Sequence, residues 1–440
     1  MAKLIYSNDV FLDPNITFES SSPPILFPSG NNLGSLPTLY GKDGHFVTIV
    51  NYFFFDLKAV KRLKDFNSYS RALLKFWTYI EDSELHWDHF PPIKRLKPTY
   101  LFRSHLLTEV NENRLKQSTA NMYINHVKQF YLWAIHEGYL HIKNENEAPF
   151  KIEQIKIKAK GSLAHIRPTI TVDSSDLRIQ IARSSQTNSV RSMSPLTGED
   201  IILLAQHFPK LSEEFRLQCL LAIQCGLRIQ EVSSLSIKAL NAAYQLSESK
   251  FRYLIPIGPS TGVETKFSKE RFIEISIELL TALRDYSISE RRLKRLHKLN
   301  IKSLSISNNK LILTKNKLDI FKRCDLFEPL FISEQGNPVD KKVIGSRWTD
   351  LRKTIRLNHP KFHYKFHDLR ATYGTYRLND ILDAGLQPSE ALELLMGWLG
   401  HNHESTTWKY LKYLKRKEVF KEKFALLDSI MHEALGGYNE

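Results

Sequence analysis

Two stretches in which apolar residues recur at three- and four-residue spacing, separated by a polar run at residues 141 to 192, restrict this chain to a largely helical protein of at least two units. In the first stretch Tyr69, Leu73, Phe76, Trp77 and Ile80 share one helix face. Tyr123, Val127, Phe130, Tyr131 and Ala134 share another, on a helix that opens after Ser118 and stops near Gly138. The second stretch starts at Ser194-Pro195-Leu196-Thr197-Gly198-Glu199-Asp200, where Thr197 can cap a helix and the two acids suit its first turn. The pattern continues through Leu217, Leu220, Leu221 and Ile223. It breaks where residues 253 to 257 and 272 to 275 read as two strands flanking a polar turn. The expected class is mainly α with a small β element, an α+β fold.

The polar run carries Lys151, Lys156, Lys158, Lys160, Arg167, Arg178, Arg183 and Arg191 against Glu153, Asp173 and Asp176, and is poor in core-forming residues at 172 to 175 and 184 to 194. It reads as a basic interdomain linker; such a segment can lie along a phosphate backbone, and a merely solvated linker has the same composition. Residues 1 to 60 are Ser- and Pro-rich at 20 to 24, Gly-punctuated at 30 to 34, strand-like at 46 to 55 and near charge balance. They read as an accessory extension. The expected division is therefore 1 to 60, a helical unit at 61 to 140 with Lys116 and Lys128 on its polar face, the linker at 141 to 192, and a second folded unit from 193 to 440.

Across 440 residues, 62 Lys plus Arg stand against 47 Asp plus Glu, a net charge of +15. With 42% hydrophobic and 11% aromatic residues, a disordered basic tail protein is excluded. A charge excess of this size favours a polyanionic partner, nucleic acid first, because neutralising phosphates releases condensed counterions. A generic basic surface is the alternative. Cys219, Cys225 and Cys324 are too few for a disulfide framework, and no Cys-x-x-Cys or His-Glu-x-x-His pair suggests a metal. No apolar run approaches the roughly 18 to 20 residues that cross a bilayer, and Met1-Ala2-Lys3-Leu4 lacks an export signal. The expectation is a soluble, cytoplasmic, nucleoid-associated protein working without metal or cofactor.

Four elements can carry chemistry. Gly226 fits a helix stop, after which Arg228 opens a new helix with Glu231 one turn on; an Arg there can face a phosphate while Glu231 orients it, and surface ion pairs look the same. Lys266 lies in the turn of the hairpin, where a lysine can reach a substrate, although basic hairpins are common. His367-Asp368-Leu369-Arg370 puts a His and an Arg one helical turn apart, a pattern that also arises by chance. The most specific is Leu399-Gly400-His401-Asn402-His403-Glu404-Ser405-Thr406-Thr407-Trp408-Lys409-Tyr410, in which an apolar helix through Leu392, Leu395, Met396 and Leu399 turns at Gly400 and Tyr410 follows His401 by nine residues.

With these elements in this order, residues 194 to about 420 resemble the tyrosine recombinase, or phage integrase, family, and the helical unit at 61 to 140 resembles its core-binding domain on weaker grounds. The resemblance implies two domains forming a C-shaped clamp on double-stranded DNA recombination sites. It makes Arg228 and Arg370 the arginine pair, Lys266 the hairpin lysine, His367 and His401 the histidines, and Tyr410 the nucleophile. It further implies site-specific recombination of a mobile element through a 3′-phosphotyrosine, a homotetramer on DNA that is monomeric when free, and accessory DNA-bending or directionality proteins. The tail with Phe420, Phe424, Leu427, Met431 and Leu435 would dock on a neighbouring protomer or pack on its own domain. Type IB topoisomerase activity and a silent DNA-binding regulator are the alternatives.

The chemistry fits the residue types. Attack of a phenol oxygen on a phosphodiester builds charge on the nonbridging oxygens, which two guanidiniums stabilise bidentately. A tyrosine with a pKa of about 10 needs a neighbouring base, and the leaving oxygen needs a proton. The family often has Gly before its hairpin lysine where Thr265 stands here, so Lys269 competes with Lys266; His403 similarly competes with His401, though less well by spacing. An expanded segment after the hairpin carries Arg291, Arg292, Lys294, Arg295, Lys298 and Lys302 with no acid among them, which reads as extra DNA-backbone contact or as a solvated basic helix.

Overall fold

The computed structural model describes residues 1–7, 9–18, 26–63, 65–158, 169–180, 194–246, 251–307 and 315–400. The chain divides into two compact units, one of residues 1–188 with 314–317 and one of the remainder.

In the first unit β1 (Lys3–Tyr6) pairs antiparallel with β4 (Pro37–Tyr40), and β2 (Val10–Phe18) with β3 (Leu26–Gly34). Four helices follow: α1 (Thr48–Ala59), α2 (Asn67–Asp82), α3 (Pro98–Asn111) and α4 (Gln117–His136). The expected faces of α2 and α4 meet in an aromatic core, with Phe76 edge-on to Phe102 at 5.1 Å and Phe130 edge-on to Phe53 at 5.6 Å. Lys116 stands exposed at the start of α4 and Lys128 half-buried along it.

Three expectations change here. Residues 46 to 55 were expected as a strand, but most of them form α1, because Val50, Phe53, Phe54 and Leu57 recur with helical period and are all buried. Residues 1 to 60 are no appendage: Ala2, Leu36, Leu39 and Val47 share one buried cluster with Phe76 and Phe130. Asn51 fixes that junction, its Oδ1 accepting from Leu39 N at 2.7 Å and its Nδ2 donating to Leu39 O at 2.9 Å. The supposed linker is also partly folded. Its β5 (Ile152–Lys158) and β6 (Thr169–Ser175) form an antiparallel hairpin with Ile155 opposite Val172. Beyond it Leu177 and Ile179 enter the core of the first unit, held by Arg103 Nε to Leu177 O (2.9 Å) and Ile179 N to Asn121 Oδ1 (2.9 Å). Lys156 and Lys158 are strand residues, and Lys160 lies outside the described residues.

The second unit begins with α5 (Gly198–His207), capped as expected by Thr197, whose Oγ1 accepts from Asp200 N at 3.2 Å. Then come α6 (Glu213–Gln224), the short α7 (Ile229–Ser233) and α8 (Ile237–Asn241), and a three-stranded antiparallel sheet of β7 (Tyr244–Gln245), β8 (Arg252–Ile257) and β9 (Arg271–Ser276) in that order. The hairpin expected at residues 253 to 275 is present, with Tyr253 opposite Ile275. Helices α9 (Ile277–Ile288), α10 (Glu290–Ser307), α11 (Lys315–Leu326), α12 (Lys341–Asn358), α13 (Phe366–Asp383) and α14 (Pro388–Leu399) follow among the described residues. Leu369 and Tyr376 of α13 join Leu217, Leu220 and Leu221 of α6 in the main core, and Tyr373 and Leu378 pack with Leu395 and Leu399 of α14.

Helix α10 corrects two of the expected DNA contacts. Arg292 is 1% exposed, donating through Nε to Leu330 O at 2.8 Å, through Nη1 to Ser287 O at 2.8 Å and through Nη2 to Glu328 Oε1 at 2.5 Å. Arg295 is also buried, with Nη1 on Glu214 Oε1 at 2.5 Å and on Ile332 O at 3.1 Å. Both guanidiniums satisfy internal acceptors, so neither faces a phosphate. Arg291 and Lys294 keep exposed side chains, paired with Glu214 and Glu290. Among the described residues no helix is long and apolar enough to cross a membrane.

Candidate active site

The site is built where three helix ends and one strand end meet. Helix α6 ends at Gly226 in the left-handed region (φ +65°), and a Cβ there would run into the ring of Tyr373, so the turn needs glycine. Two residues later Arg228 caps α7. Glu231 reaches back, its Oε2 accepting from Arg228 N at 2.8 Å and its Oε1 from Arg228 Nη1 at 2.9 Å. Glu231 is fully buried, which excludes the surface ion pair as the reading of this motif.

Arg370 reaches the same place from α13. Its Nη1 donates to Gly226 O and its Nη2 to Leu399 O, and Nη1 lies 3.9 Å from Glu231 Oε2. Helix α14 ends at Gly400, also left-handed at φ +58°. The last carbonyls of a helix lack intrahelical partners and carry the negative end of its dipole. Here guanidiniums satisfy them: Arg370 at Leu399 O, Arg228 Nη2 at Gly400 O (3.4 Å), and Arg271 Nε at Trp398 O (3.0 Å). The expected arginine pair is thus gathered at the turn that leads into His401.

The sequence profile described as the phage integrase family matches residues 195–417. The chain belongs to that family, the tyrosine-type site-specific recombinases. No curated protein matches the sequence. Among solved structures, this recombinase is similar to the Tn1549 transposon integrase in complex with circular intermediate DNA, at 15% identity over 88% of this chain and 99% of that one, TM-score 0.46. It is also similar to the XerH site-specific recombinase bound to difH substrate (13%, 81% and 79%, TM-score 0.43) and to a lambda integrase dimer bound to a COC′ core site (14%, 86% and 97%, TM-score 0.43).

In this recombinase Lys266 and Lys269 both lie exposed in the turn between β8 and β9, with Lys266 Nζ 4.9 Å over the Phe267 ring. The turn is tight, with Phe267 and Ser268 at φ +62° and +53°. Its ascending limb is fixed to α7 by Glu264 N on Ser234 Oγ (2.8 Å) and by Gln230 Nε2 on Glu264 Oε2 (2.6 Å). His367 is exposed at the start of α13, three residues before Arg370. His401, His403 and Tyr410 lie outside the described residues, as does the tail from Phe420.

Sequence reasoning missed Arg271. Its Nη1 and Nη2 grip Glu231 Oε1 and Oε2 at 2.9 and 2.7 Å, making Glu231 the centre of three arginines. Burial pushes the Glu231 carboxyl up, but the hydrogen bonds and charge of Arg271, the charge of Arg370 and the Arg228 amide together hold it below the ordinary range. Nothing local marks Arg271; among the basic residues of the hairpin it looks like the rest. Arg377 was missed too. It is forked onto Glu274 and lies 5.4 Å over the Trp398 ring, and Glu274 holds its guanidinium charged against the opposing effect of burial.

Proposed function

We propose that this recombinase cleaves and rejoins duplex DNA at specific sites through a covalent 3′-phosphotyrosine, integrating or excising a mobile element. The observation that carries the reading is the convergence of Arg228 and Arg370 on one buried carboxylate at the turn that runs into His401. Arg228, the open member of the pair, holds the nonbridging oxygens of the scissile phosphate with the charge of the buried Arg370 beside it, and Tyr410 Oη attacks phosphorus while a histidine, His401 or His367, takes its proton. The bond from phosphorus to the 5′ oxygen breaks, and Lys266 protonates that oxygen. Phosphodiester energy is kept in the phosphotyrosine, so a second 5′ hydroxyl reverses the step. None of these steps calls on ATP.

Lys116, Lys128, Lys156, Lys158, Lys160, Arg291 and Lys294 supply backbone contacts with no base readout. Four protomers on two duplexes make the active assembly.

The test is a nicked suicide duplex carrying the DNA that flanks the element. Wild-type protein is expected to become covalently attached at Tyr410. Tyr410→Phe is expected to bind the site and form no adduct, and adducts persisting in that variant would overturn the assignment. Supercoil relaxation at no particular site would point to a topoisomerase instead, and site binding without any cleavage to a regulator.

A further inference from the structure

We infer that Arg271 is a positioning residue for strand transfer: it clamps Glu231, and through it Arg228, to the last turn of α14, so that the lysine turn, the arginine pair and the approach to His401 are held as one body. The inference rests on the proposed phosphotyrosine chemistry.

The three arginines around Glu231 are not equivalent. The Arg228 side chain is 21% exposed, that of Arg271 7% and that of Arg370 2%. Arg228 can meet a ligand, whereas Arg271 spends its fork inside the protein. Both its terminal nitrogens go to the two oxygens of Glu231, and its Nε goes to Trp398 O. A planar guanidinium makes these bonds in one fixed geometry, which a lysine ammonium cannot copy.

Its place in the chain matters as much as its bonds. Arg271 is the first residue of β9, opposite Ile257, at the foot of the turn that carries Lys266 and Lys269. The other foot of that turn, at Glu264, is tied to Gln230 and Ser234. Both feet are therefore fixed to α7 or the residue that ends it, and α7 is the helix that Arg228 opens. Gly400 lies against the same side chain: a Cβ built there would come 3.0 Å from Arg271 Cδ. The left-handed turn before His401 is shaped around the stem of Arg271.

The experiment uses full-length protein and the nicked suicide duplex, with single-turnover adduct formation and DNA affinity measured separately. Misplacing a reacting group by about 1 Å costs about 10²-fold in rate. R271Q and R271K are both expected to slow adduct formation by about that factor while DNA affinity stays within about twofold. R271K keeps the positive charge that Glu231 requires, so the comparison does not depend on R271Q folding. In an Arg228→Ala background, R271K is expected to cost clearly less than it does in wild type, because one of the groups it positions is gone. R271K at the wild-type rate would overturn the inference, as would losses that multiply with Arg228→Ala, or a fall in DNA affinity matching the fall in rate. If wild-type protein forms no adduct, the proposed phosphotyrosine function fails; an active wild type with equally active R271K sinks only the role of Arg271.

Discussion

Around Glu214 and Glu328 three arginines of α10 share two carboxylates; around Glu231 the arginines of α7, β9 and α13 share one. Arg292 meets Glu328 and three backbone carbonyls, while Arg291 and Arg295 share Glu214. At the other cluster one carboxylate faces Arg228, Arg271 and Arg370. Burial of an arginine is therefore no sign of function by itself. What separates the two clusters is the ratio of charges, three arginines to one carboxylate around Glu231 against three to two on α10, a larger surplus for an anionic ligand to offset at Arg228.

The largest test of that contrast is Arg228→Ala. It should lower single-turnover adduct formation by about 10²- to 10³-fold, the cost of removing a donor aimed at developing charge, with the duplex still bound. Arg370→Ala should fall at least as far, since it also leaves Gly226 O and Leu399 O without their donor. A variant of either kind cleaving within about threefold of wild type would break the comparison.

Arg292→Met should do the opposite. Removing the guanidinium strands the carbonyls of Leu330, Ser287 and Pro329, a loss of about 3 kcal/mol in unfolding free energy. Chemical denaturation should show that loss, while the cleavage rate per folded molecule stays at the wild-type value. A stable protein with slow cleavage would place Arg292 with the chemistry after all.

The same contrast explains what the sequence revealed and what it hid. Helices α2, α4 and α14 were legible because each buries one periodic face, α6 because its apolar run through Leu217, Leu220, Leu221 and Ile223 is buried on all sides, and the hairpin because two β-rich runs flank a polar turn. Arg228 with Glu231 was legible as a local pair at a helix start, and Gly226 and Gly400 as helix stops. Arg271, Arg292 and Arg295 were not separable from other basic residues. Their carboxylate partners lie 36 to 81 positions away along the chain, and only the tertiary fold decides which guanidiniums point inward. Helix α1 was misread because a run of aromatic residues suits a strand as well as a buried helix.

A smaller effect follows from the Glu231 carboxyl being held low. A group whose folded pKa lies below its unfolded value, about 4.3 for glutamate, contributes stability that is present above that value and lost as pH falls through the folded pKa. Glu231→Gln should therefore melt below wild type at neutral pH, and the gap should narrow once the pH falls below about 4. A gap independent of pH would mean that the three arginines gain no more from the charged carboxylate than from an amide.

The smallest expected effect lies on the exposed face of α10. Lys294 is 71% exposed and pairs with Glu290, itself 82% exposed, at 2.6 Å. Such a pair is screened by water and salt, so Lys294→Ala should leave the melting temperature unchanged. If Lys294 touches a DNA phosphate, the slope of log affinity against log salt should fall by about one, and by the same amount on specific and unrelated duplexes, since phosphate contacts carry no sequence information. Arg292→Met, measured at a temperature where it is folded, should leave that slope untouched. An unchanged slope in Lys294→Ala would remove Lys294 from the DNA-binding surface and leave exposed Arg291 as the contact proposed on α10.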